Sequence, residues 1–268
     1  MKGPANILLL LLAAGGCGGQ YALTVGDHVA AAGGDAPVVA RLQRNDFFVL
    51  DLPASGAWLR FEAEGRPLRA ACTDKQGYAG TTLPVGGKPG CYRLRLGHID
   101  IEGQEVSAEA RLLVLDPEAP AFAVALDDLP MDGSYQAKSA QVALARLCRE
   151  GGLIYLTGRP IPQQRALHEK LAKAGYPDGA ILPWRRQRWH VVQEGKLYRV
   201  VVEDRLVSQL PELRESLPGL AVGICRSPAA AKAFLSAGMR AVVVGKEAAK
   251  YAADGRNSWD DLRKNAIQ

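Results

Sequence analysis

The sequence predicts an α/β domain with a parallel sheet, preceded by a small β-sandwich domain. Residues 22–115 contain short runs in which apolar and polar residues alternate, which is typical of strands with one buried face. Residues 121–268 instead alternate between apolar strand-like runs and helix-like segments, and this pattern indicates a parallel sheet covered by helices. The length of 268 residues suits two domains of this kind.

The composition is that of a globular protein with a mild positive charge. Hydrophobic residues make up 48% of the chain, which is enough to form real cores, and the formal net charge is +5. Such a charge permits a loose attraction to anionic lipid or nucleic acid, but it argues for neither.

Residues 1–19 have the layout of a secretory signal and are excluded from the fold. Lys2 is a positive start, residues 7–12 are an apolar run, and small residues follow. Cys17 comes directly after them, so the segment resembles a bacterial lipobox, in which the cysteine is lipidated. Ala14 departs from the Leu that the lipobox prefers. The alternative is ordinary cleavage nearby, with loss of Cys17.

We therefore expect an exported protein of the periplasm or cell envelope. Lipidation of Cys17 would anchor the protein to a membrane surface, and the protein would not cross the membrane. No later apolar run is long enough to span a bilayer. An unidentified protein or an anionic small molecule is the other expected partner, and nucleic acid is not expected outside the cytoplasm.

Four cysteines follow the leader: Cys72, Cys91, Cys148 and Cys225. An exported chain can keep disulfides, and Cys72 and Cys91 share one β-rich region, so their pairing is left open. Cys148 in a helical pattern and Cys225 at a strand end are more often buried thiols. No Cys-x-x-Cys or His-x-x-x-His spacing occurs, and we expect no metal site.

The clearest strand patterns of the first domain are residues 47–52, 58–63 and 92–96. Short strands separated by breaks rich in Gly and Pro, such as residues 86–90, suggest a sandwich. Residues 116–120 are the expected linker to the second domain, because proline stiffens the chain and blocks strand pairing.

Residues 72–92 resemble a transthyretin-like or immunoglobulin-like module. Such modules often carry T-D-x-x-G, then Leu-Pro, then P-G-x-Y, and this chain has T-D-K-Q-G, L-P and P-G-C-Y in the same order. Asp74 is expected to cap its own backbone in a turn, with Gly77 at positive φ. No catalytic cluster is found here, so the expected role of the domain is binding or spacing.

The second domain is expected to alternate between five strands and five helices. The expected strands are residues 122–126, 153–156, 180–182, 220–224 and 241–244, and the expected helices are residues 139–150, 162–174, 207–216, 229–236 and 259–265. Gly151 and Gly152 are expected to end the first helix as a C-cap. Ligands of parallel sheets bind beyond the carboxyl ends of the strands, so the site is expected there.

Four motifs of this domain resemble, in order, those of haloacid dehalogenase (HAD)-type phosphatases. Residues 122–128 lie where the family has D-I-D-D-T, and residues 153–160 end in Thr-Gly-Arg-Pro like the second motif. Residues 179–183 are similar to the G-x-I-L-P of the lipin and phosphatidate phosphatase branch. Residues 225–234 follow G-D-S-P-T-D-x-x-A-Y. The resemblance covers about residues 120–262 and implies a HAD-like, Rossmannoid fold.

The resemblance also implies a chemistry whose main groups are missing here. In the family, an Asp ending the first strand attacks phosphorus, and an Asp two positions later transfers a proton. The alignment puts Ala125 at the nucleophile, Asp127 at the acid/base and Asp128 at the next acid. Arg226 and Ala230 replace acids of the fourth motif, so the Mg²⁺ that the family binds loses its ligands.

The remnant of a catalytic site is therefore expected at Asp127, Asp128 and Thr157, without activity. Thr157 matches the family's phosphate ligand at the end of the second strand. Lys196 is the candidate for the lysine of the third motif, which also holds phosphate.

Two arginines are candidates for binding an anion. Arg226 follows a strand, and Arg186 lies in the most basic run of the chain, residues 184–190. A guanidinium forks onto phosphate or carboxylate. The alternatives are that Arg226 pairs with Asp127 or Asp128, and that the basic run is a solvated surface.

These observations favour a non-catalytic, HAD-like envelope protein that binds a partner or an anionic ligand. The alternative is an atypical Mg²⁺-dependent phosphatase acting on a phosphomonoester or phospholipid. No cofactor is expected, and Mg²⁺ would be needed only for that alternative. A third interpretation is a structural domain with a filled cleft. His168, which shares a helix with Arg165 and Lys170, is expected to be exposed.

Overall fold

The computed structural model describes residues 20–46, 49–64, 66–194, 197–245, 254–256 and 258–264. Cys17 and the leader lie outside these residues, and so does Lys196. The lipidation of Cys17 and the role of Lys196 therefore stay predictions. None of the helices in the described ranges is long and apolar enough to cross a membrane.

The first nine strands form two sheets, so the predicted β-sandwich is confirmed. The strands are β1 (Gln20–Val25), β2 (His28–Ala31), β3 (Asp35–Asp46), β4 (Val49–Pro53), β5 (Trp58–Ala63), β6 (Arg66–Cys72), β7 (Tyr78–Pro84), β8 (Gly90–Ile99) and β9 (Glu105–Leu115). One sheet has the order β1-β3-β4, with β7 also paired to β3. The other has the order β2-β9-β8-β5-β6.

The sandwich closes because alternate residues of its strands are apolar. In β8, Leu94 and Leu96 are buried, whereas Arg93 and Arg95 are exposed. The two leucines share a core with Leu42 of β3, which belongs to the opposite sheet. Two sheets with one apolar face each gain stability by packing those faces together.

The turn between β6 and β7 has the predicted form. The Asp74 carboxylate accepts hydrogen bonds from the amides of Gln76 (2.8 Å) and Tyr78 (2.9 Å). Gly77 has φ = 80°, a conformation that L side chains rarely adopt. A Cβ at this position would also lie 2.4 Å from the carbonyl oxygen of Leu42, so this turn requires glycine.

In the described residues of the second half there are a six-stranded sheet, a hairpin and five helices. Its strands are β10 (Ala121–Ala125), β11 (Gly152–Thr157), β12 (Ala180–Pro183), β13 (Arg185–Glu194), β14 (Leu197–Ser208), β15 (Leu220–Cys225), β16 (Arg240–Val244) and β17 (Asp254–Arg256). Its helices are α1 (Tyr135–Glu150), α2 (Gln164–Lys173), α3 (Leu210–Ser216), α4 (Pro228–Ser236) and α5 (Trp259–Lys264), with 3-10 turns at Leu126–Asp128 and Ile161–Gln163.

The six-stranded sheet is parallel throughout and has the order β12-β11-β10-β15-β16-β17. The chain starts at β10, moves outward through β11 and β12, and then crosses to β15 on the other side. A reversal of this kind opens a crevice beyond the carboxyl ends of the strands. Every residue of β10 and β11 is buried, because helices α1, α2 and α5 cover one face and α3, α4 and β9 cover the other.

The ends of α1 differ from the prediction. The helix begins at Tyr135 rather than at residue 139, because the Ser134 side chain caps it by accepting a hydrogen bond from the amide of Ala137 (3.2 Å). Gly151 does follow the helix, but its φ of −174° is extended rather than left-handed. Glycine is required because a Cβ would lie 1.8 Å from the carbonyl oxygen of Pro120.

The largest departure from the predicted elements is the hairpin of β13 and β14. No strand is predicted for the basic run at residues 184–190, and a helix is expected at residues 207–216. Instead residues 185–194 and 197–208 form a long antiparallel pair, and α3 begins only at Leu210. The hairpin lies between β12 and α3 in the chain and contacts the sandwich at β7 and β3.

The expected linker is folded onto the sheet. The amide of Gly219 donates to the carbonyl of Pro117 (3.0 Å), and the amide of Ala121 donates to the carbonyl of Gly219 (2.9 Å). The connection between the two halves is therefore held at the amino end of β10 and β15.

Cys72 and Cys91 are free, so they form no disulfide. Cys72 lies on β6 and Cys91 on β8, and β5 runs between these two strands. Two strand spacings amount to about 9.5 Å, more than a disulfide can bridge. Cys225 is buried, as expected, and burial raises its pKa to about 12. Cys148 is half-buried.

Candidate functional site

The carboxyl edge of the sheet carries Asp127 and Asp128. β10 ends at Ala125, and both aspartates lie in the 3-10 turn that follows. Thr157 ends the neighbouring strand β11 and is fully buried. Ala125, at the strand end itself, has only a methyl group, which cannot act as a nucleophile.

The structure brings Asp127 and Thr157 together. The Thr157 hydroxyl donates to the Asp127 carboxylate, with its Oγ1 3.0 Å from Oδ1 and 3.2 Å from Oδ2. The amide of Gly158 donates to Oδ2 (2.8 Å), and Nε of Arg159 lies 3.6 Å from Oδ1. Thr157, the predicted phosphate ligand, is thus engaged by a carboxylate.

Asp128 is held by the start of α4. Its Oδ2 accepts hydrogen bonds from the amides of Arg226 and Ser227, both at 2.8 Å. Arg226 therefore contacts Asp128 through its backbone. Among the described residues, no ion pair joins its guanidinium to Asp127 or Asp128, so the predicted pairing is wrong. At Asp132, hydrogen bonds from Ser134 chiefly, with a smaller contribution from the charge of Arg226, lower the pKa of the carboxyl.

The donor set at this edge does not fit the Mg²⁺ that the HAD resemblance implies. Mg²⁺ binds carboxylate oxygens that are free to coordinate it. Asp127 and Asp128 already accept amide and hydroxyl hydrogen bonds, and Ala125 and Ala230 have no ligand atom. Within the described ranges, no group of three His, Cys, Asp or Glu side chains is placed to hold a metal ion.

A cavity of about 550 Å³ opens beside the two carboxylates. Asp127, Asp128 and Arg185 line it, together with small apolar side chains of α4. Neither Thr157 nor Arg226 lines it. The cavity thus does not join Asp127 to Thr157 and Arg226, and the interpretation of a filled cleft stays a prediction.

A larger cleft of about 650 Å³ lies between the sandwich and the α/β half, and we call it the interdomain cleft. One wall consists of residues 158–162, directly beyond β11, with Leu182 and Pro183 of β12. The sandwich strands β1 and β3 and the hairpin form the other walls. The cleft thus lies where parallel sheets bind their ligands.

Four arginines line the interdomain cleft: Arg41, Arg159, Arg185 and Arg186. Asp27 is the single carboxylate among the described lining residues. Arg41 and Arg185 form no ion pair with any acidic side chain that the structure describes. Arg41 stacks on the Tyr78 ring (5.3 Å), and Arg185 donates to the carbonyl of Leu206 (3.4 Å).

Arg186, a predicted anion ligand, is placed at the cleft but is already paired. Its Nη2 lies 3.1 Å from Oε2 of Glu212, and its guanidinium stacks on Trp189 at 4.3 Å. Burial lowers the pKa of Arg186, and the Glu212 carboxylate opposes that shift. The alternative of a solvated surface is therefore wrong for Arg186, whose side chain is largely buried.

Asp27, between β1 and β2, joins the two halves of the molecule. Its Oδ2 accepts hydrogen bonds from His168 Nε2 (2.6 Å) and the Ile181 amide (2.7 Å), and its Oδ1 accepts one from the Arg111 amide (2.9 Å). Its own amide donates to Oε1 of Gln164 (3.0 Å). His168 is therefore part of an interface, and the expectation that it is exposed is wrong. No sequence signal marks Asp27, since an Asp between two strands is ordinary turn chemistry.

His28 lies at the wall of the interdomain cleft and stays neutral. Burial, with a contribution from Arg186, lowers its pKa to about 4. Its ring packs edge-on against Trp189, with 6.0 Å between centroids. Its buried Nε2 has no hydrogen-bond partner among the described residues.

No family model matches the chain, and no curated protein matches it. It is similar to a chimeric titin Z1Z2 tandem, with a TM-score of 0.26 and 19% identity over 35% of this chain and 48% of that one. It is also similar to the Ig1-2 module of a Drosophila receptor protein tyrosine phosphatase, DLAR, with a TM-score of 0.28 and 15% identity over 39% of this chain and 59% of that one.

A third similar structure is Dpr1 IG1 bound to DIP-eta IG1, with a TM-score of 0.25 and 12% identity over 35% of this chain and 95% of that one. The chain thus spans about half of the titin tandem and less than two thirds of the DLAR module. With TM-scores below 0.3, these similarities support no conclusion about a ligand or an activity. The fold itself defines a two-part protein, with a β-sandwich joined to a parallel α/β sheet.

Proposed function

We propose that this protein is a non-catalytic, HAD-like protein of the cell envelope that binds an anionic ligand in the interdomain cleft. The charge of the cleft carries this proposal. Four arginines line it. The carboxylate of Asp27 already accepts hydrogen bonds from His168, Ile181 and Arg111. An entering anion meets guanidinium groups, which fork onto phosphate or carboxylate.

The sheet edge lacks the groups that phosphatase catalysis needs. A HAD-type phosphatase needs a free carboxylate at the end of its first strand and a second one that can exchange a proton. Ala125 stands at the first position. Asp127 at the second already accepts hydrogen bonds from Thr157 and Gly158 and lies beside Arg159, so its oxygens are engaged by the protein itself.

The HAD-like assignment is supported by the order of the motifs and by their contacts. The turn after β10 is bonded to the residue that ends β11 and to the start of α4, so three of the four motifs meet at one edge. The finer assignment of the sandwich, as a transthyretin-like or immunoglobulin-like module, rests on the turn at Asp74 and Gly77.

The envelope location is part of the proposal and rests on the leader. Residues 1–19 have a positive start, an apolar run and small residues before Cys17. Lipidation of Cys17 would attach the protein to a membrane surface, with both halves on the exported side. Mass spectrometry of the native N-terminus tests this directly, because an unmodified residue beyond position 17 would contradict it.

Calorimetric titration of the full chain with inorganic phosphate and with citrate tests the anion site. We expect binding at low salt that weakens about tenfold or more in the Arg41→Gln/Arg185→Gln variant, because hydrogen bonds to charged groups are lost. Arg165→Gln is the matched control, since Arg165 is exposed and pairs with Glu169 on α2. Equal affinities in both variants, or no binding to the unaltered protein, would contradict the proposal.

Hydrolysis of p-nitrophenyl phosphate with Mg²⁺ tests the absence of catalysis. We expect the same background rate for the unaltered chain and for Asp127→Asn, because neither has a nucleophile at position 125. Mg²⁺-dependent hydrolysis that Asp127→Asn abolishes would establish the phosphatase alternative instead.

A further inference from the structure

One end of the sandwich exposes an apolar surface. A cavity of about 560 Å³ at this end is lined by residues from β1, β4, β5 and β8 and from the turn after β8. Four of its large apolar side chains are between 41% and 104% exposed: Leu52, Trp58, Ile99 and Ile101. Single exposed apolar residues are normal on a protein surface, but a cluster at one end marks a contact surface.

This sandwich tip, as we call the cluster, lies at the end remote from the α/β half. Strand β9 begins at Glu105, beside the turn that carries Ile101, and ends at Leu115, which is buried in the α/β core. Its 11 residues span about 35 Å. The interdomain cleft extends along β3 as far as Gln43, the neighbour of Arg44 in the tip cavity, but the two cavities share no lining residue that the structure describes.

The N-terminal end of the described chain is at the same tip. In β1, Gln20 pairs with Asn45 and Tyr21 with Arg44, and Arg44 in turn pairs with Leu52 of β4. Cys17 precedes Gln20 by three positions, which an extended chain spans in about 10 Å. A lipid on Cys17 would therefore enter the membrane beside the apolar tip.

We propose that the sandwich tip is a membrane-contacting surface, which inserts Trp58 and Ile101 into the bilayer interface and sets the protein upright on it. Trp is enriched at the membrane–water boundary because its ring is apolar and its N–H is polar. The charges near the tip are of both signs, because Arg44 lines the cavity together with Asp100. The attraction is therefore apolar rather than electrostatic. This inference rests on the envelope location proposed above, but not on the anion site.

Vesicle partitioning tests the surface without the help of a lipid anchor. The full chain carrying Cys17→Ser is mixed with vesicles of phosphatidylcholine, with and without phosphatidylglycerol. We expect the partition coefficient to fall at least about tenfold when Trp58→Ser/Ile101→Ser is added to this chain, because two apolar side chains then no longer leave water. Val142→Ser/Leu235→Ser is the matched control, since both side chains are exposed in the α/β half. The apolar leader is common to all three proteins.

Equal partitioning of the tip variant and the control would overturn the inference. So would a concentration-dependent dimer in sedimentation velocity that only the tip variant loses, because the tip would then serve a second copy of the chain. Fluorescence quenching by lipids brominated in the acyl chain is a second readout. We expect quenching that Trp58→Phe removes, and quenching unchanged in Trp58→Phe would contradict insertion. A failure here leaves the anion site and the lipidation of Cys17 untouched.

Discussion

The side chains of Asp127 and Asp128 are fixed by hydrogen bonds across the sheet edge. Each accepts hydrogen bonds from amide or hydroxyl groups of another strand or helix. Arg226 contributes through its amide, a group that almost every residue has. Motif reasoning compares side chains, so it expected the guanidinium of Arg226 at a place where the backbone does the binding.

His28 makes stability depend on pH. Its pKa of about 4 in the folded protein is lower than the 6.5 of an exposed histidine. The unfolded chain therefore binds a proton more readily, and folding is disfavoured as the pH falls below about 6.5. We expect the free energy of unfolding to fall by about 3 kcal/mol between pH 7 and pH 4, which is nearly the whole effect of His28.

Urea unfolding at pH 7 and pH 4.5 measures this effect. We expect His28→Gln to lose less stability on acidification than the unaltered chain does. If His28→Gln and the unaltered chain lose the same free energy, His28 is not held neutral.

The hairpin of β13 and β14 is the element that joins the two halves from outside the sheet. It is inserted after β12 and packs on β7 of the sandwich. Gly80 of β7 permits this, because a Cβ there would lie 2.6 Å from Cγ2 of Val200 and 3.2 Å from Cγ2 of Val191. The alternation of valines could indicate strands, but not the surface on which they pack.

Gly80→Ala should destabilise the packing of the hairpin by about 1–3 kcal/mol, because the added methyl group overfills a close contact. Val200→Ala removes the nearest methyl group, so the double variant should lose less free energy than the sum of the single variants. Gly86→Ala is the control, since nothing lies within 4 Å of the added Cβ. Urea unfolding gives the four free energies, and strictly additive values would refute the contact.

The two halves form one unit through contacts that bypass the linker. Asp27 bonds the sandwich to β12 and α2. Leu113 and Leu115, on the outer face of β9, are part of the α/β core. An ion pair between Arg111 and Asp178 lies beside them. A sequence with a proline-rich linker predicts two independent domains, whereas these contacts couple their unfolding.

Asp27→Ala should cost about 3 kcal/mol or more, because it leaves the buried amide of Ile181 and the partly buried amide of Arg111 without an acceptor. Hydrogen exchange should show loss of protection at the Ile181 amide, and thermal unfolding should separate into two transitions. Asp116→Ala is the control, since Asp116 is exposed and accepts from a single amide, that of Glu118. A single transition with the Ile181 amide still protected would mean that Asp27 does not couple the halves.

Local pattern was enough to predict much of this fold. Strands such as β10 and β11 are short apolar runs, α4 follows a Ser-Pro cap, and the Asp74 turn is specified by residues that touch one another along the chain. In each case the deciding interactions lie within a few positions. A sequence pattern therefore contains the relevant physics.

Only the tertiary structure reveals the interdomain cleft, the contacts of Asp27 and the packing of the hairpin. Asp27 meets Arg111 and Ile181 across 84 and 154 positions, and Arg41 shares a cleft with Arg185. Periodicity tells which face of an element is buried, but it does not tell which surface covers that face. Backbone amides carry no residue identity, so the donors that hold Asp27 and Asp128 leave no trace in the amino-acid letters.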